Sequence, residues 1–207
     1  MTATDDLSDA QLQRQAIAIT MIATALRMYL AATLPLVADE AYYWEWSRNL
    51  AFGYFDHPPA IAWLVAGGTA IFGDTTLGVR FFPVLCGAFA AFALSDIAER
   101  LAGPRAARFA ALLLAATPFT IGFILATPDA PLLAAVAMTL MFVVRAIDAD
   151  GEGGGAPRLA LRAWIGAGLA IGVAMASKFT AVFVPIAITL AMLVHPSLRR
   201  HLKRPGP

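Results

Sequence analysis

The stretch that decides the fold is "ADEAYYWEWSRNLAFGYFDHPPAIAW", residues 38–63. It gathers four acidic residues, a histidine, three Trp and three Tyr in a chain that is 59% hydrophobic and 14% charged. A soluble domain usually carries about 25% charged residues, and its core could not bury this much apolar side chain. The excess must face lipid, so the composition predicts an integral membrane protein.

The apolar residues fall into six segments, at 16–37, 58–73, 79–98, 109–126, 130–147 and 163–194. Because a helix needs about 20 residues to cross the hydrocarbon, segment 58–73 is too short and segment 163–194 is too long for one span. We therefore expect an all-α polytopic membrane protein with about six membrane helices and an outer juxtamembrane helical loop over 38–78.

Charge predicts the orientation of these helices. Basic residues cluster between the third and fourth segments, around the Gly-rich stretch 151–155, and at the C-terminus. The positive-inside rule puts all three clusters in the cytoplasm. Residues 1–15 then form a cytoplasmic tail, 16–195 the transmembrane domain and 196–207 a basic cytoplasmic tail. The 1–15 stretch lacks the pattern of a cleaved signal peptide.

This orientation has two consequences for the irregular segments. Segment 58–73 cannot cross and is expected at the outer interface. Segment 163–194 must go out and return, as two half-depth helices that meet near "ASKFTA"; the alternative is one long tilted helix, which leaves the basic tail outside. With the hairpin, residues 38–57, Asp129 and Lys178 lie on the outer side, where they can line one polar cavity.

A helix over 39–48 would carry candidate catalytic and binding groups. Asp39, Tyr42, Tyr43 and Trp46 share one face at helical spacing, and Glu40 starts the neighbouring face. A carboxylate at the end of a span, walled by aromatic rings, suits a general base beside a substrate pocket. The alternative is a helix N-cap next to an interfacial aromatic belt.

The motif "FDHPPA" places Asp56 and His57 before two prolines. Pro58 forces the preceding residue into an extended conformation. His57 in this turn could contact a phosphate, shuttle a proton or bind a metal. The alternative is a plain turn at the foot of an interfacial helix.

Asp129 and Lys178 are charged residues in strongly apolar surroundings. Asp129 occupies the short turn "ATPDAPLL", and Lys178 is a cation within about 30 apolar residues, so each is a functional candidate. Lys178 needs an anionic partner, either a carboxylate such as Asp129 or a lipid phosphate. The alternatives are a Pro-Asp turn or N-cap for Asp129 and a snorkelling side chain for Lys178.

Several classes of function lack their sequence signals. The chain has no Cys/His metal spacing, no phosphate-binding Gly loop, no dinucleotide fingerprint and no basic stripe typical of nucleic-acid binding. We expect no metal, no cofactor and no nucleic-acid partner. Cys86 is expected to be a small buried hydrophobe, and Gly67-Gly68 and "GLAIG" at 168–172 are expected to serve helix packing.

The segments "DEAYYWEWSRNLAFGYFDHPPAIAWLVAGGTAIFGDTTLGVRF", "TPDAPL" and "SKFTAV" resemble a known family. They are similar to the N-terminal part of the bacterial dolichyl-phosphate-mannose–protein mannosyltransferase-like enzymes. These enzymes are glycosyltransferases of family 39 type in the GT-C superfamily, related to the aminoarabinose and galacturonic acid transferases of lipopolysaccharide. The resemblance runs over roughly residues 17–195.

The resemblance implies roles for individual residues. Asp39 matches the acid that deprotonates the acceptor, Glu40 would assist it or orient the acceptor, and Asp129 matches a second active-site acid. Lys178 matches the Lys that holds the phosphate of a polyprenyl-phosphate sugar. Some relatives carry Lys where this chain has His57, which weakens the implied donor contact there.

The implied protein is a plasma-membrane glycosyltransferase, or the N-terminal catalytic half of one. It would transfer a sugar to a lipid, glycan or protein acceptor on the periplasmic or exterior face, with inversion at the anomeric carbon. Family members are usually longer, so a second chain that supplies further helices is an expected partner. Two alternatives remain from the residues: a transporter or flippase-like module with an Asp129–Lys178 ion pair, and a non-catalytic membrane subunit that binds lipid-linked sugar.

Overall fold

The computed structural model describes residues 8–117, 122–150, 156–199 and 201–203. Within these ranges the chain is helical and forms no strand. The helices are α1 (Asp9–Thr33), α2 (Ala38–Ser47), α3 (Ala60–Phe72), α4 (Thr76–Ala102), α5 (Pro104–Ala116), α6 (Asp129–Asp150), α7 (Pro157–Ser177), α8 (Phe183–Val194) and α9 (Pro196–Arg199).

Four of these helices, α1, α4, α6 and α7, are long and apolar enough to cross a membrane. The predicted all-α polytopic membrane fold is therefore confirmed. Helix α3 has 13 residues, which is too few to cross alone, and it packs on α2 and α4. The expectation that segment 58–73 does not span agrees with this length.

Contacts between neighbouring helices fix the direction of each one. Thr76 Oγ1 at the start of α4 donates to the Ala32 carbonyl at the end of α1, 2.9 Å away, and Gln13 of α1 bonds Glu99 near the end of α4. Helices α1 and α4 are thus antiparallel. We call the end that carries Asp39, Asp56 and Asp129 the acidic end, and the end that carries the basic clusters of 100–108, 145 and 158–162 the basic end.

The segment after α7 turns back as predicted, but its first arm is longer than predicted. Lys178 leaves the helical conformation, with φ −157° and ψ 138°, a short 3-10 turn follows at Phe179–Val182, and α8 then returns until Met192 packs against Trp164 of α7. Helix α7 has 21 residues, enough for a full span, so the expectation of two half-depth helices was wrong. The helix continues through Gly166, Gly168 and Gly172 and ends only where Lys178 becomes extended.

Both predicted tails contain folded structure. Helix α1 begins at Asp9, inside the predicted tail of 1–15, because Ser8 and Gln11 form a reciprocal capping box. At the other terminus, His201 is fully buried and its Nδ1 lies 2.6 Å from Asp150 Oδ2. This contact holds the segment after α8 against the end of α6.

Arg27 explains how α5 can end after 13 residues within the bundle. Its side chain is buried, and Nη2 donates to the Leu114 carbonyl at 2.8 Å. The last carbonyls of a helix lack intrahelical donors and carry partial negative charge. A guanidinium at this position satisfies both needs.

Glycines let α3 and α4 approach closely, but two glycines of α7 do not have this role. A Cβ on Gly68 would lie 2.0 Å from the Gly78 carbonyl oxygen, so α3 and α4 can approach only without side chains there, as expected for Gly67-Gly68. A Cβ on Gly168 or on Gly172 would meet no neighbouring atom within 4 Å, so their predicted packing role was wrong. Cys86 is buried in the core between α4 and α6, as expected.

Candidate active site

Helix α2 carries Asp39 to the acidic end. The residues between α1 and α2 are extended, and α2 starts at Ala38, so Asp39 lies in its first turn, where the helix dipole favours an anion. The side chain is exposed, and no hydrogen bond or ion pair joins its carboxylate to another described residue. Asp39 is therefore an accessible carboxylate at the end of a span.

Glu40 lies on the opposite, inward side of the same turn and is fully buried. Its carboxylate accepts hydrogen bonds from Arg80, from the Ala126 amide at 2.8 Å and from the Val37 amide at 3.0 Å. Burial opposes ionisation, but the hydrogen bonds from Arg80 and the two amides outweigh it and hold the pKa of Glu40 below its usual range. The lone pairs of Glu40 are occupied and its side chain has no exposed surface, so a substrate cannot reach it. Its role is therefore a structural one, in which it holds α2 in place, and not the catalytic one that was predicted.

Arg80 is the functional neighbour that the sequence reasoning missed. It is 1% exposed, and its Nε donates to Glu40 Oε1 at 2.7 Å. The remaining donors reach the Ala31, Leu34 and Pro35 carbonyls at the end of α1. A signal for this pairing exists in the sequence, because a lone guanidinium in an apolar span needs a partner.

The Glu40–Arg80 pair joins four parts of the chain. Arg80 belongs to α4 and binds the end of α1, Glu40 belongs to α2, and Ala126 precedes Asp129 by three residues. The pair therefore fixes the backbone that carries Asp39 relative to the backbone that carries Asp129.

Tyr43 marks the point where the acidic side chains converge. Burial raises the pKa of Tyr43, and the charges of Asp39, Asp129 and Asp56 raise it further. Three carboxylates from separate segments thus act on one phenol, as expected for acids at one end of the bundle. That they line one polar cavity stays a prediction.

Tyr42 anchors the loop that contains Asp56. The Tyr42 hydroxyl donates to Asp56 Oδ2 at 3.0 Å, and this hydrogen bond raises the pKa of Tyr42. Tyr42 and Tyr43 also contact Trp46, with ring centroids 4.6 and 5.2 Å apart. The predicted aromatic face of α2 is present.

His57 closes this aromatic group. Its ring lies 6.2 Å from Tyr43 and 6.5 Å from Trp46, centroid to centroid, and Trp46 stacks on Tyr54 at 4.4 Å. Among the described residues, no partner bonds the buried Nδ1 of His57. The ring is therefore held by packing and not by a hydrogen bond through Nδ1.

Lys178, directly after the end of α7, contacts Asp129 at the start of α6. Its Nζ donates to Asp129 Oδ1 at 2.8 Å, and the two side chains are 31% and 52% exposed. The break between α7 and the 3-10 turn turns Lys178 toward the first turn of α6. The carboxylate partner predicted for Lys178 is therefore confirmed, and both charges remain open to solvent or ligand.

An apolar groove leads away from these charged groups, which we call the acidic-end groove. It has a volume of about 550 Å³ and is lined by residues of α3, α4, α6 and α7, among them Ala60, Trp63, Pro131 and Ala176. Pro131 and Ala176 are two residues from Asp129 and Lys178. The groove runs inward to Phe142, so a ligand with a charged head at the ion pair could lay an apolar tail along the helices.

The acidic side chains do not form a metal site within the described parts of the chain. No group of three or more His, Cys, Asp or Glu side chains there is arranged to hold a metal ion.

A family model described as dolichyl-phosphate-mannose-protein mannosyltransferase matches residues 56–207. The match covers most of the chain, including His57, Asp129 and Lys178.

The chain belongs to this family.

Two curated relatives are similar over most of this chain. A lipid A galacturonosyltransferase, RgtD of Rhizobium johnstonii, is 29% identical over 163 residues, which are 78% of this chain and 33% of the relative. An undecaprenyl phosphate-alpha-4-amino-4-deoxy-L-arabinose arabinosyl transferase of Pseudomonas aeruginosa is 31% identical over 154 residues, which are 73% of this chain and 27% of the relative. The chain thus spans about a third or less of their length.

A solved structure has the same fold. The apo crystal structure of ArnT from Cupriavidus metallidurans superposes with a TM-score of 0.74 over 90% of this chain and 38% of that one, at 22% sequence identity. The fold of this family member is therefore the GT-C helical bundle that ArnT shares.

Proposed function

We propose that this chain forms the donor-binding and acid–base part of a membrane glycosyltransferase. It transfers a sugar from a polyprenyl-phosphate donor to a lipid, glycan or protein acceptor. The observation that carries the proposal is the accessible Asp39 carboxylate at the same end of the bundle as the Asp129–Lys178 pair, beside the mouth of an apolar groove. The family and the names of the relatives support the reaction class.

The groove and the ion pair match the two chemical parts of such a donor. A polyprenyl chain is apolar and suits the acidic-end groove, whose surface is almost entirely carbon. The phosphate that joins the lipid to the sugar is anionic and suits the Lys178 ammonium. Asp129 holds that ammonium at 2.8 Å while the phosphate is absent.

The transfer step is a direct displacement. The acceptor hydroxyl oxygen attacks the anomeric carbon from the side opposite the phosphate, the bond from that carbon to the phosphate oxygen breaks, and its electron pair leaves with the polyprenyl phosphate. The hydroxyl proton passes to Asp39, the accessible carboxylate. Because attack and departure are in line, the anomeric carbon inverts.

Charge development explains why a cation is needed. The phosphate gains one negative charge as the sugar leaves, and an ammonium already positioned beside it stabilises that charge in the transition state. Tyr42 holds Asp56 near the aromatic rings, and the partly exposed ring of His57 lies beside them, where it contacts the donor phosphate or the sugar. Glu40 acts as a positioning residue through Arg80.

The acidic end faces the periplasm or exterior of the plasma membrane in this proposal. The basic residues of 100–108, 145 and 158–162 lie at the opposite end of the bundle, and basic loops stay in the cytoplasm. Since the residues that match this chain make up only 33% and 27% of two curated relatives, further helices for the acceptor site come from additional sequence or from a second chain.

The experiment is sugar transfer from a panel of labelled polyprenyl-phosphate sugars, with membranes that contain the native assembly. We expect Asp39→Asn to lower transfer by about 10²–10⁴-fold, the usual contribution of general-base catalysis. Glu45→Gln is the matched control, because Glu45 is an exposed carboxylate on the same helix, and it should transfer at the parental rate.

The contrary outcomes are distinct. Transfer by Asp39→Asn at the parental rate contradicts the base assignment. Solute accumulation in proteoliposomes without transfer indicates a transporter, and donor binding without transfer in the parental assembly indicates a non-catalytic subunit.

A further inference from the structure

A second apolar groove lies in the half of the bundle near the basic end, which we call the basic-end groove. Its volume is about 580 Å³, and residues of α1, α4, α5 and α6 line it. Exposed side chains of Ile17, Met21, Phe89 and Phe92 form its apolar walls. The proposed transfer reaction does not use this groove.

The two grooves meet at mid-depth. Phe89, Met138 and Phe142 line both of them. From Phe89 to Glu99, where the basic-end groove terminates, α4 rises about 15 Å, which is half of the roughly 30 Å hydrocarbon thickness. The basic-end groove therefore has the depth of one leaflet and opens to the membrane.

The far end of the basic-end groove is polar. Gln13, Ser95, Asp96, Glu99 and Arg145 line it. Asp96 accepts two hydrogen bonds from Arg145, at 3.0 and 2.8 Å, and one from Arg100. The Asp96 carboxylate is thus neutralised within the protein.

Glu99 differs from Asp96 in this respect. Its carboxylate accepts from the neutral amide of Gln13, and no cation pairs with it among the described residues. The buried Oγ of Ser95 likewise has no hydrogen-bond partner in the described part of the chain. The groove end thus has one carboxylate that no described cation pairs with and one hydroxyl without a hydrogen-bond partner among the described residues.

The pairing of the charges selects the ligand. Asp96 and Asp148 pair with Arg100 and Arg145, so Glu99 is the carboxylate of the groove end with which a ligand ammonium can pair. Arg145 uses Nε and Nη2 on Asp96, which leaves Nη1 beside the groove for a phosphate oxygen.

We propose that the basic-end groove binds a phospholipid with a primary ammonium headgroup. The ammonium donates to Glu99 and Ser95, the phosphate lies toward Arg145, and an acyl chain runs between α1 and α6 to Phe89. A quaternary ammonium has no N–H to donate and binds less well. The lipid would fill the space between α1 and α6 and so support the helix that leads to Asp39.

The test is competition between lipids on the purified full chain in detergent. The chain is incubated with equal amounts of phosphatidylethanolamine, phosphatidylcholine and phosphatidylglycerol of identical acyl composition, and native mass spectrometry counts the bound lipids. We expect phosphatidylethanolamine to be retained about tenfold over the other two, as a charge-assisted hydrogen bond predicts.

Three variants locate the binding. Glu99→Gln should abolish the preference, and Ala88→Leu, which fills the groove wall, should lower total retention without altering the charge. Asp148→Asn is the matched control, because Asp148 is half exposed and does not line the groove, and it should keep the preference. Circular dichroism checks that each variant is folded.

Any of four results overturns the proposal. These are equal retention of the three lipids, a preference for phosphatidylglycerol, a preference that survives both Glu99→Gln and Ala88→Leu, and displacement of phosphatidylethanolamine by polyprenyl phosphate. The last result would make the basic-end groove the distal part of the donor site. None depends on sugar transfer, so the proposed function and this inference can fail separately.

Discussion

The acidic and basic ends of the bundle use charge in different ways. At the basic end Asp96, Arg100, Arg145 and Asp148 pair with one another in a partly exposed network. At the acidic end one pair, Glu40–Arg80, is fully buried, while Asp39 stays exposed and the Asp129–Lys178 pair stays open. Charges at the basic end mainly join helices. At the acidic end, the buried Glu40–Arg80 pair holds the segments together, and the accessible charges of Asp39, Asp129 and Lys178 remain for a ligand.

The largest expected effect comes from breaking the buried Glu40–Arg80 pair. Arg80→Met leaves the Glu40 carboxylate buried without its cation, which should cost about 3–5 kcal/mol of stability and displace the segments that carry Asp39 and Asp129. Thermal unfolding in detergent measures the loss. Pairing it with Glu40→Gln should restore part of the stability, and a single Arg80→Met variant as stable as the parent contradicts the supporting role.

Removing the open cation should affect chemistry and leave the fold intact. Lys178→Met should lower kcat/KM for the lipid-linked donor by about 10²–10³-fold, because the charge that develops on the phosphate loses its stabilising partner. Lys178→Arg should recover part of the rate, since it keeps the charge. Unchanged kcat/KM in Lys178→Met, with thermal stability as in the parent, would assign the phosphate to another residue.

At the basic end, a substitution should lower stability and leave the chemistry unchanged. Asp96→Asn weakens hydrogen bonds to Arg100 and Arg145 and should cost about 1.5–3 kcal/mol of stability. The kcat of the folded fraction should stay at the parental value. A large fall in kcat without a fall in thermal stability would mean that the basic end takes part in the reaction.

The smallest expected effect concerns the aromatic wall of the acidic end. Tyr42→Phe removes the hydroxyl that donates to Asp56, and this hydrogen bond is exposed to solvent. Because the pKa of Tyr42 is raised, this hydroxyl remains a donor throughout the neutral pH range. The transfer rate should fall less than about tenfold, and a larger loss would give Tyr42 a direct catalytic role.

Topology and site were predictable to different degrees. The directions of the membrane helices followed from apolar runs and from Arg and Lys clusters, and the Asp129–Lys178 pair followed from the cost of lone charges in apolar surroundings. Both signals are contained in short windows of sequence, which is why they could be interpreted without coordinates.

Arg80 and Glu40 show what a local pattern cannot give. They are 40 residues apart, and the sequence does not say which face of α2 turns inward, so Glu40 resembled a second reactive acid. The full length of α7 was missed for a related reason: Lys178 marked a break, but its position relative to the membrane depended on how α6 and α7 pack.

The central claim is that Asp39 and Asp129 share one side of the membrane, and single-cysteine labelling tests it most directly. In a Cys86→Ala background, Asp39→Cys, Asp129→Cys and Leu101→Cys at the basic end are exposed in turn to a membrane-impermeant maleimide in sealed vesicles of known orientation. We predict that the reagent reaches positions 39 and 129 from the same face and position 101 only from the other. Labelling of 39 and 129 from opposite faces would contradict the account.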